Sequence, residues 1–175
     1  SARHQFLYPA SELLQQFPSG GEIRSISFNL AQVNTANDTM KNFEIKMACT
    51  QGTAFPIPGG PGWVNGAVTV FSAKNVALGT AGWKTHVLDF PYNWDGTSNL
   101  VVEICFNNNT STLNNKMQMT PTAYNSVIYS KGNTSQCGNT GSPVVSTSRP
   151  NTKFDICITS VDGMPTQWTP ASGPN

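Results

Sequence analysis

Hydrophobic residues in this chain recur at every second position over short runs, and almost nowhere at helical spacing. In Leu100-Val101-Val102-Glu103-Ile104-Cys105-Phe106, the side chains of Leu100, Val102, Ile104 and Phe106 fall on one face of a strand. Val101 and Cys105 keep the other face half apolar, so this strand is expected at the centre of a sheet with both faces covered. Before it, residues 84–90 form a β-branched and aromatic run that is expected to end at Pro91, which has no N–H for a ladder. Asp95-Gly96 marks a tight turn between the two. The pair reads as the hairpin around which the rest of the chain is organised.

The other elements follow in the same manner. Residues 3–8 predict a first, edge strand closed by Pro9. Ser11–Gln16 predicts a helical turn capped by Ser11 and ended by Pro18-Ser19-Gly20-Gly21. Residues 22–30 predict a strand and residues 34–40 a polar loop. Residues 42–49 predict another strand, with Phe43, Ile45, Met47 and Cys49 pointing in and Glu44 and Lys46 pointing to water. Residues 50–66 carry three prolines and several glycines and read as a long loop ending at Trp63. Short strands are predicted at 67–71, 74–78, 116–119, 126–130 and 152–159, separated by polar loops. Nine or ten short strands and one helical turn predict an all-β fold: an antiparallel two-sheet sandwich of the jelly-roll type. Residues 1–160 read as one domain, and 161–175, rich in proline, as an exit linker towards further domains of the same polypeptide. The chain opens at Ser1 with no signal-peptide pattern and is expected to be a mature or excised form.

Composition sharpens this picture. Charged residues make up 11% of the chain and the formal net charge is +1, which favours neither nucleic acid nor an anionic membrane as partner. No stretch approaches the apolar length of a membrane span. Polarity comes instead from 18 Asn, 19 Thr and 16 Ser, a composition suited to exposed strand faces and long loops of secreted or surface proteins. Of the four cysteines, Cys49, Cys105, Cys137 and Cys157, none forms a C-x-x-C pair, which argues against a structural zinc site. An even count favours two disulfides and an oxidising compartment. Three pairings are open; Cys105–Cys137 with Cys49–Cys157 is the one favoured, and four free thiols are the alternative.

Signals for chemistry are sparse. His4 and His86 are the only histidines, and neither G-x-S-x-G nor H-E-x-x-H occurs. Glu103 and Asp155 would resemble the acid pair of a glycosidase only if their strands were neighbours; the simpler expectation is carboxylates facing water or paired with basic side chains. No cofactor is called for, and no enzyme activity is expected. Calcium is the one ion that loop oxygens would suit, through Asn93, Asp95, Asn107 and Asn108 if their loops converge. Aromatic side chains are the better lead. Trp63, Trp83, Trp94 and Tyr92 stand at loop ends, where exposed rings stack on the apolar faces of sugars. Trp63, Tyr92 and Trp94 are the candidate ligand contacts, with plugging of the sandwich ends as the competing role for Trp83 and Trp94. The sequons at Asn37, Asn108 and Asn133 are those an Asn- and Thr-rich chain produces by chance.

Taken together, the Tyr8–Leu13 opening, Asn42–Met47, Ala81-Gly82-Trp83, the run Phe90–Phe106 and Ser148-Arg149-Pro150-Asn151 resemble a known kind of module. It is similar to the β-sandwich modules of large secreted and surface proteins of Bacteroidetes, among them gliding-motility adhesins and cargo of the type IX secretion system. The resemblance covers nearly the whole chain. It implies an extracellular, non-catalytic module with an adhesive or glycan-binding role, and it hands over no catalytic residues. Asp38-Thr39-Met40 resembles the short O-glycosylation pattern of such proteins, with Thr39 as acceptor. A structural spacer or stalk without a ligand is the alternative function, and a secreted hydrolase the remaining one.

Overall fold

The computed structural model describes residues 1–56, 62–108 and 114–158. They form β1 (Ala2–Tyr8), α1 (Ala10–Leu13), β2 (Gly21–Gln32), a 3-10 turn (Thr35–Asn37), β3 (Thr39–Thr50), β4 (Val68–Ala77), β5 (Gly82–Trp94) and β6 (Asn99–Phe106). These are followed by β7 (Lys116–Met117), β8 (Met119–Pro121), β9 (Val127–Lys131), β10 (Val144–Ser146), β11 (Ser148–Pro150) and β12 (Thr152–Cys157). A six-stranded sheet has the order β10-β9-β1-β6-β3-β4. A second has the order β12-β2-β5, with β7 continuing alongside β2, and β8 and β11 pair as a short ribbon. Every pairing is antiparallel. The all-β, antiparallel expectation is met. The proposed linker at 161–175 lies outside the described residues.

Five expectations about individual elements are corrected. The strands at 84–90 and 100–106 are not a hairpin: β5 pairs with β2 in one sheet, while β6 lies between β1 and β3 in the other. Both ladders of β6 are occupied, so the turn after β5 carries the chain from sheet to sheet. That turn is built locally. Asp95 accepts from the N–H groups of Thr97 and Ser98 and from the Ser98 hydroxyl. Gly96 has φ 76°, and a Cβ there would lie 2.3 Å from the Gly20 nitrogen. Second, β5 continues through Pro91, because the β2–β5 register jumps between Ile23/Tyr92 and Ser25/Val87 and leaves residues 88–91 out of the ladder. Third, β1 is interior, flanked by β6 and β9. Fourth, the two strands expected at 67–71 and 74–78 are one, β4 (Val68–Ala77). Fifth, the short helix starts after Pro9 with no side-chain cap from Ser11.

The two sheets contribute to one buried cluster, with Phe6, Phe43, Ile45, Met47 and Ile104 from the first and Ile23, Ile26, Phe28, Leu88 and Ile156 from the second. His86 belongs to it, with its ring 4.9 Å from that of Phe43 and 5.5 Å from that of Phe71. The reverse face of the six-stranded sheet is covered as well. There Leu7, Val101 and Ile128 pack under Phe55 and Trp63. That is why residues 100–105 of β6 are buried on both faces.

Candidate functional site

The sequence candidates do not assemble into one site. Trp63 is buried at 4% exposure. Its indole N–H donates to the Gly141 carbonyl at 2.8 Å, and the Arg3 guanidinium covers its ring at 4.2 Å. Trp94 is buried at 2%, with its N–H on the Ser98 carbonyl, and plugs the sheet-to-sheet turn. Tyr92 is half-buried, and its hydroxyl donates to Cys49 Sγ at 3.4 Å; burial, together with that thiol, pushes the phenol above its usual range. Neither tryptophan offers a free ring face, so the expected platform of Trp63, Tyr92 and Trp94 is corrected.

The calcium oxygens are also scattered. Asn93 and Asp95 stand at the end of β5, whereas Asn107 and Asn108 follow the far end of β6, eight residues on and roughly 25 Å away along the strand. Asp95 is consumed by its turn. Asn107 accepts from the Ser1 hydroxyl, and Asn108 bridges Lys41 N–H and the Thr39 carbonyl. Among the described residues no group of three or more His, Cys, Asp and Glu is placed to hold a metal ion.

Cys105 and Cys137 are disulfide-bonded, with Cα atoms 5.4 Å apart. The companion bridge is not formed: Cys49 and Cys157 are free thiols. Cys49, expected to point inward, is exposed at the end of β3 and meets Tyr92 of β5; Cys157 lies on β12, two strand positions away from β5 in the other sheet. Thr39 opens β3 instead of sitting in a loop; it is half-buried, and its hydroxyl donates to Asp38.

Glu103 and Asp155 belong to different sheets, so their strands are not neighbours. Glu103 is 3% exposed and accepts from Arg3 and Gln5, both at 2.7 Å. Gln5 in turn bonds both the N–H and the C=O of Val64. The network ties the loop that carries Trp63 onto the sheet; it holds structure.

Among the described residues, Trp83 is the tryptophan with an exposed ring. It lies on β5 with Thr85 and Val87, opposite the buried His86 and Leu88, and is 41% exposed. Lys153 Nζ stands 4.1 Å over one face of the ring. Trp83 forms one wall of a cleft of about 750 Å³, bounded by β12, the β8–β11 ribbon and α1. Phe154 and Tyr8 are further apolar wall residues; Gln16, Thr120 and Asn151 add amides and a hydroxyl. The back of the cleft is fixed by hydrogen bonds. Arg149 donates to the Leu7 carbonyl and the Tyr124 hydroxyl, pairs with Glu12, and lies 4.3 Å over the Tyr8 ring. Tyr8 shares a 2.7 Å hydrogen bond with Thr152, and Thr120 donates to Asn151. Burial, first, and the contact with Glu12 push the Tyr124 phenol up to about 12, so it stays a neutral donor at neutral pH. The cleft thus combines a partly exposed indole, amides and hydroxyls with the charged groups of Glu12, Arg149 and Lys153.

Sequence reasoning weighed Trp83 as a plug and missed its cleft partners. Period-two alternation around His86 and Leu88 was the available signal, because it sets Trp83, Thr85 and Val87 on the outer face. Thr120, Asn151 and Lys153 lie 37, 68 and 70 residues from Trp83 along the chain, and their approach left no local trace. Among the described residues, no helix is long and apolar enough to cross a membrane. No family model matches the chain, and no match is found among curated proteins or solved structures.

Proposed function

We propose that the chain is a jelly-roll module of a secreted or cell-surface protein, non-catalytic, whose role is adhesion through glycan binding in the Trp83 cleft. The carrying observation is the indole of Trp83, 41% exposed at the wall of a cleft and braced by Lys153. Sugar C–H faces stack on such a ring, and Asn151, Gln16 and Thr120 are of the type that pairs with hydroxyls. The Cys105–Cys137 bridge and the scarcity of charge support a place in an oxidising, extracellular compartment. The resemblance to Bacteroidetes surface modules, carried by Phe90–Phe106, supports the same reading.

A glycan array probed with wild type and with Trp83→Ala tests it. Wild type is expected to retain a defined set of glycans, and Trp83→Ala to weaken that binding at least about thirtyfold, as loss of a central aromatic contact does. The fold should remain intact. Retention of no glycan would leave the module a structural spacer, and binding indifferent to Trp83→Ala would remove the cleft from the account.

A further inference from the structure

Asn65-Gly66 is the one Asn-Gly step in the chain. It lies between the loop that carries Trp63 and the start of β4 at Val68. The two residues before it are held. The Trp63 indole is on the Gly141 carbonyl, and the Gln5 side chain grips both the N–H and the C=O of Val64. Asn65 and Gly66 themselves are exposed. Among the described residues, neither the Asn65 amide nor the Gly66 N–H has a hydrogen-bond partner. Gly66 has φ 78°, and a Cβ there would meet nothing within 4 Å.

Comparable groups elsewhere are pinned. Asp95, also followed by glycine, accepts from the N–H groups of Thr97 and Ser98 and from the Ser98 hydroxyl. Its Gly96 packs against Gly20. The Asn139 amide donates to Ser130 and Gln136 and accepts from the Gly141 N–H. Asn99 accepts from the Ala10 N–H and donates to the Gly52 carbonyl, and Asn125 donates to the Phe55 carbonyl.

We propose that Asn65 is a site of spontaneous modification, converting through a cyclic imide with Gly66 to aspartate and isoaspartate. The Gly66 nitrogen, having lost its proton to base, attacks Asn65 Cγ. The new C–N bond closes the imide ring, the Cγ–Nδ2 bond breaks, and the side-chain nitrogen leaves as ammonia. Glycine favours the attack because no Cβ shields its nitrogen and its backbone turns freely. Water then opens either imide carbonyl. Opening at Cγ leaves aspartate at position 65; opening at the main-chain carbonyl leaves isoaspartate, with one extra methylene in the backbone between Val64 and β4. Either product adds a carboxylate and cancels the chain's formal net charge of +1. A chain without net charge associates more readily.

Incubation of the full chain in mildly alkaline buffer, folded and in urea, tests the proposal by peptide mapping and isoaspartyl-specific methylation. In the folded chain, conversion is expected at Asn65 ahead of the other described asparagines, and faster as pH rises. Gly66→Ala should slow it at least about tenfold. Asp95-Gly96 should isomerise in urea and stay intact in the folded chain. Conversion of Asn65 in urea alone, a rate unchanged in Gly66→Ala, or folded-state reaction at Asp95 as fast as at Asn65 would overturn the proposal. Asn65 lies outside the Trp83 cleft, so the glycan reading does not depend on the result.

Discussion

Replacing Trp63 with alanine is expected to cost about 3–5 kcal/mol of stability, the range for a large aromatic removed from a packed interior. The ring is the lid of the second cluster, over Leu7, Val101 and Ile128, and its loss opens that cluster to water. It also strips the cover from Arg3, whose guanidinium lies on the ring while it pairs with Glu103 at 2.7 Å. Glu103 is 3% exposed, so the pair depends on this cover. Breaking one partner of such a pair costs as much as the aromatic does, because a buried charge is left alone. Denaturant midpoints read the effect directly. Trp83→Ala, on the exposed face, should stay within about 0.5 kcal/mol of wild type. Equal midpoints for wild type and Trp63→Ala would mean that the loop over the six-stranded sheet contributes nothing to the fold.

Acid should weaken the protein well before its carboxylates titrate. His86 sits among Phe28, Phe43 and Phe71, and burial, with Lys74 nearby, lowers it from 6.5 to about 4. His4 is lowered to the same value. In the unfolded chain both titrate near 6.5. Above that pH neither form binds the proton and stability is complete. As pH falls from 6.5 towards 4 the unfolded chain takes up protons that the folded chain refuses, so stability is lost through that window and levels off below it. At about 1.36 kcal/mol per pH unit, the loss is roughly 3 kcal/mol for each histidine. His86→Phe keeps an aromatic in the cluster and should remove about half of the loss. Unfolding midpoints that stay flat between pH 6.5 and 4.5 would contradict this placement of the two rings.

Local alternation was enough to read the long central strands, whereas the short β10 and β11 fall in a Gly-, Ser- and Thr-rich stretch that reads as loop. Leu100–Phe106 carries its double burial in its own composition, and Phe43, Ile45 and Met47 point inward as their spacing requires. What could not be read was which strand meets which. The apparent hairpin at 84–106 contains an ordinary turn signal, Asp95-Gly96, and nothing local distinguishes a turn within one sheet from a turn between two. The difference lies in β1 and β3, distant in sequence, which occupy both edges of β6. The tryptophans failed for the same reason. Trp63 follows a Pro/Gly-rich loop and looks presented to solvent; only the fold of that loop onto Leu7 and Ile128 buries it. Cys105–Cys137 is as the sequence reading favours, while Cys49 and Cys157 are free thiols, Cys49 exposed beside Tyr92.

The central claim is that recognition is carried by Trp83, while Trp63 and Trp94 are structural. The indole N–H signals of these three residues, followed by NMR during titration with a glycan retained on the array, test it most directly. The account predicts that the Trp83 signal shifts and saturates with the other two unmoved. A saturating shift at Trp63 or Trp94 with Trp83 silent would contradict it.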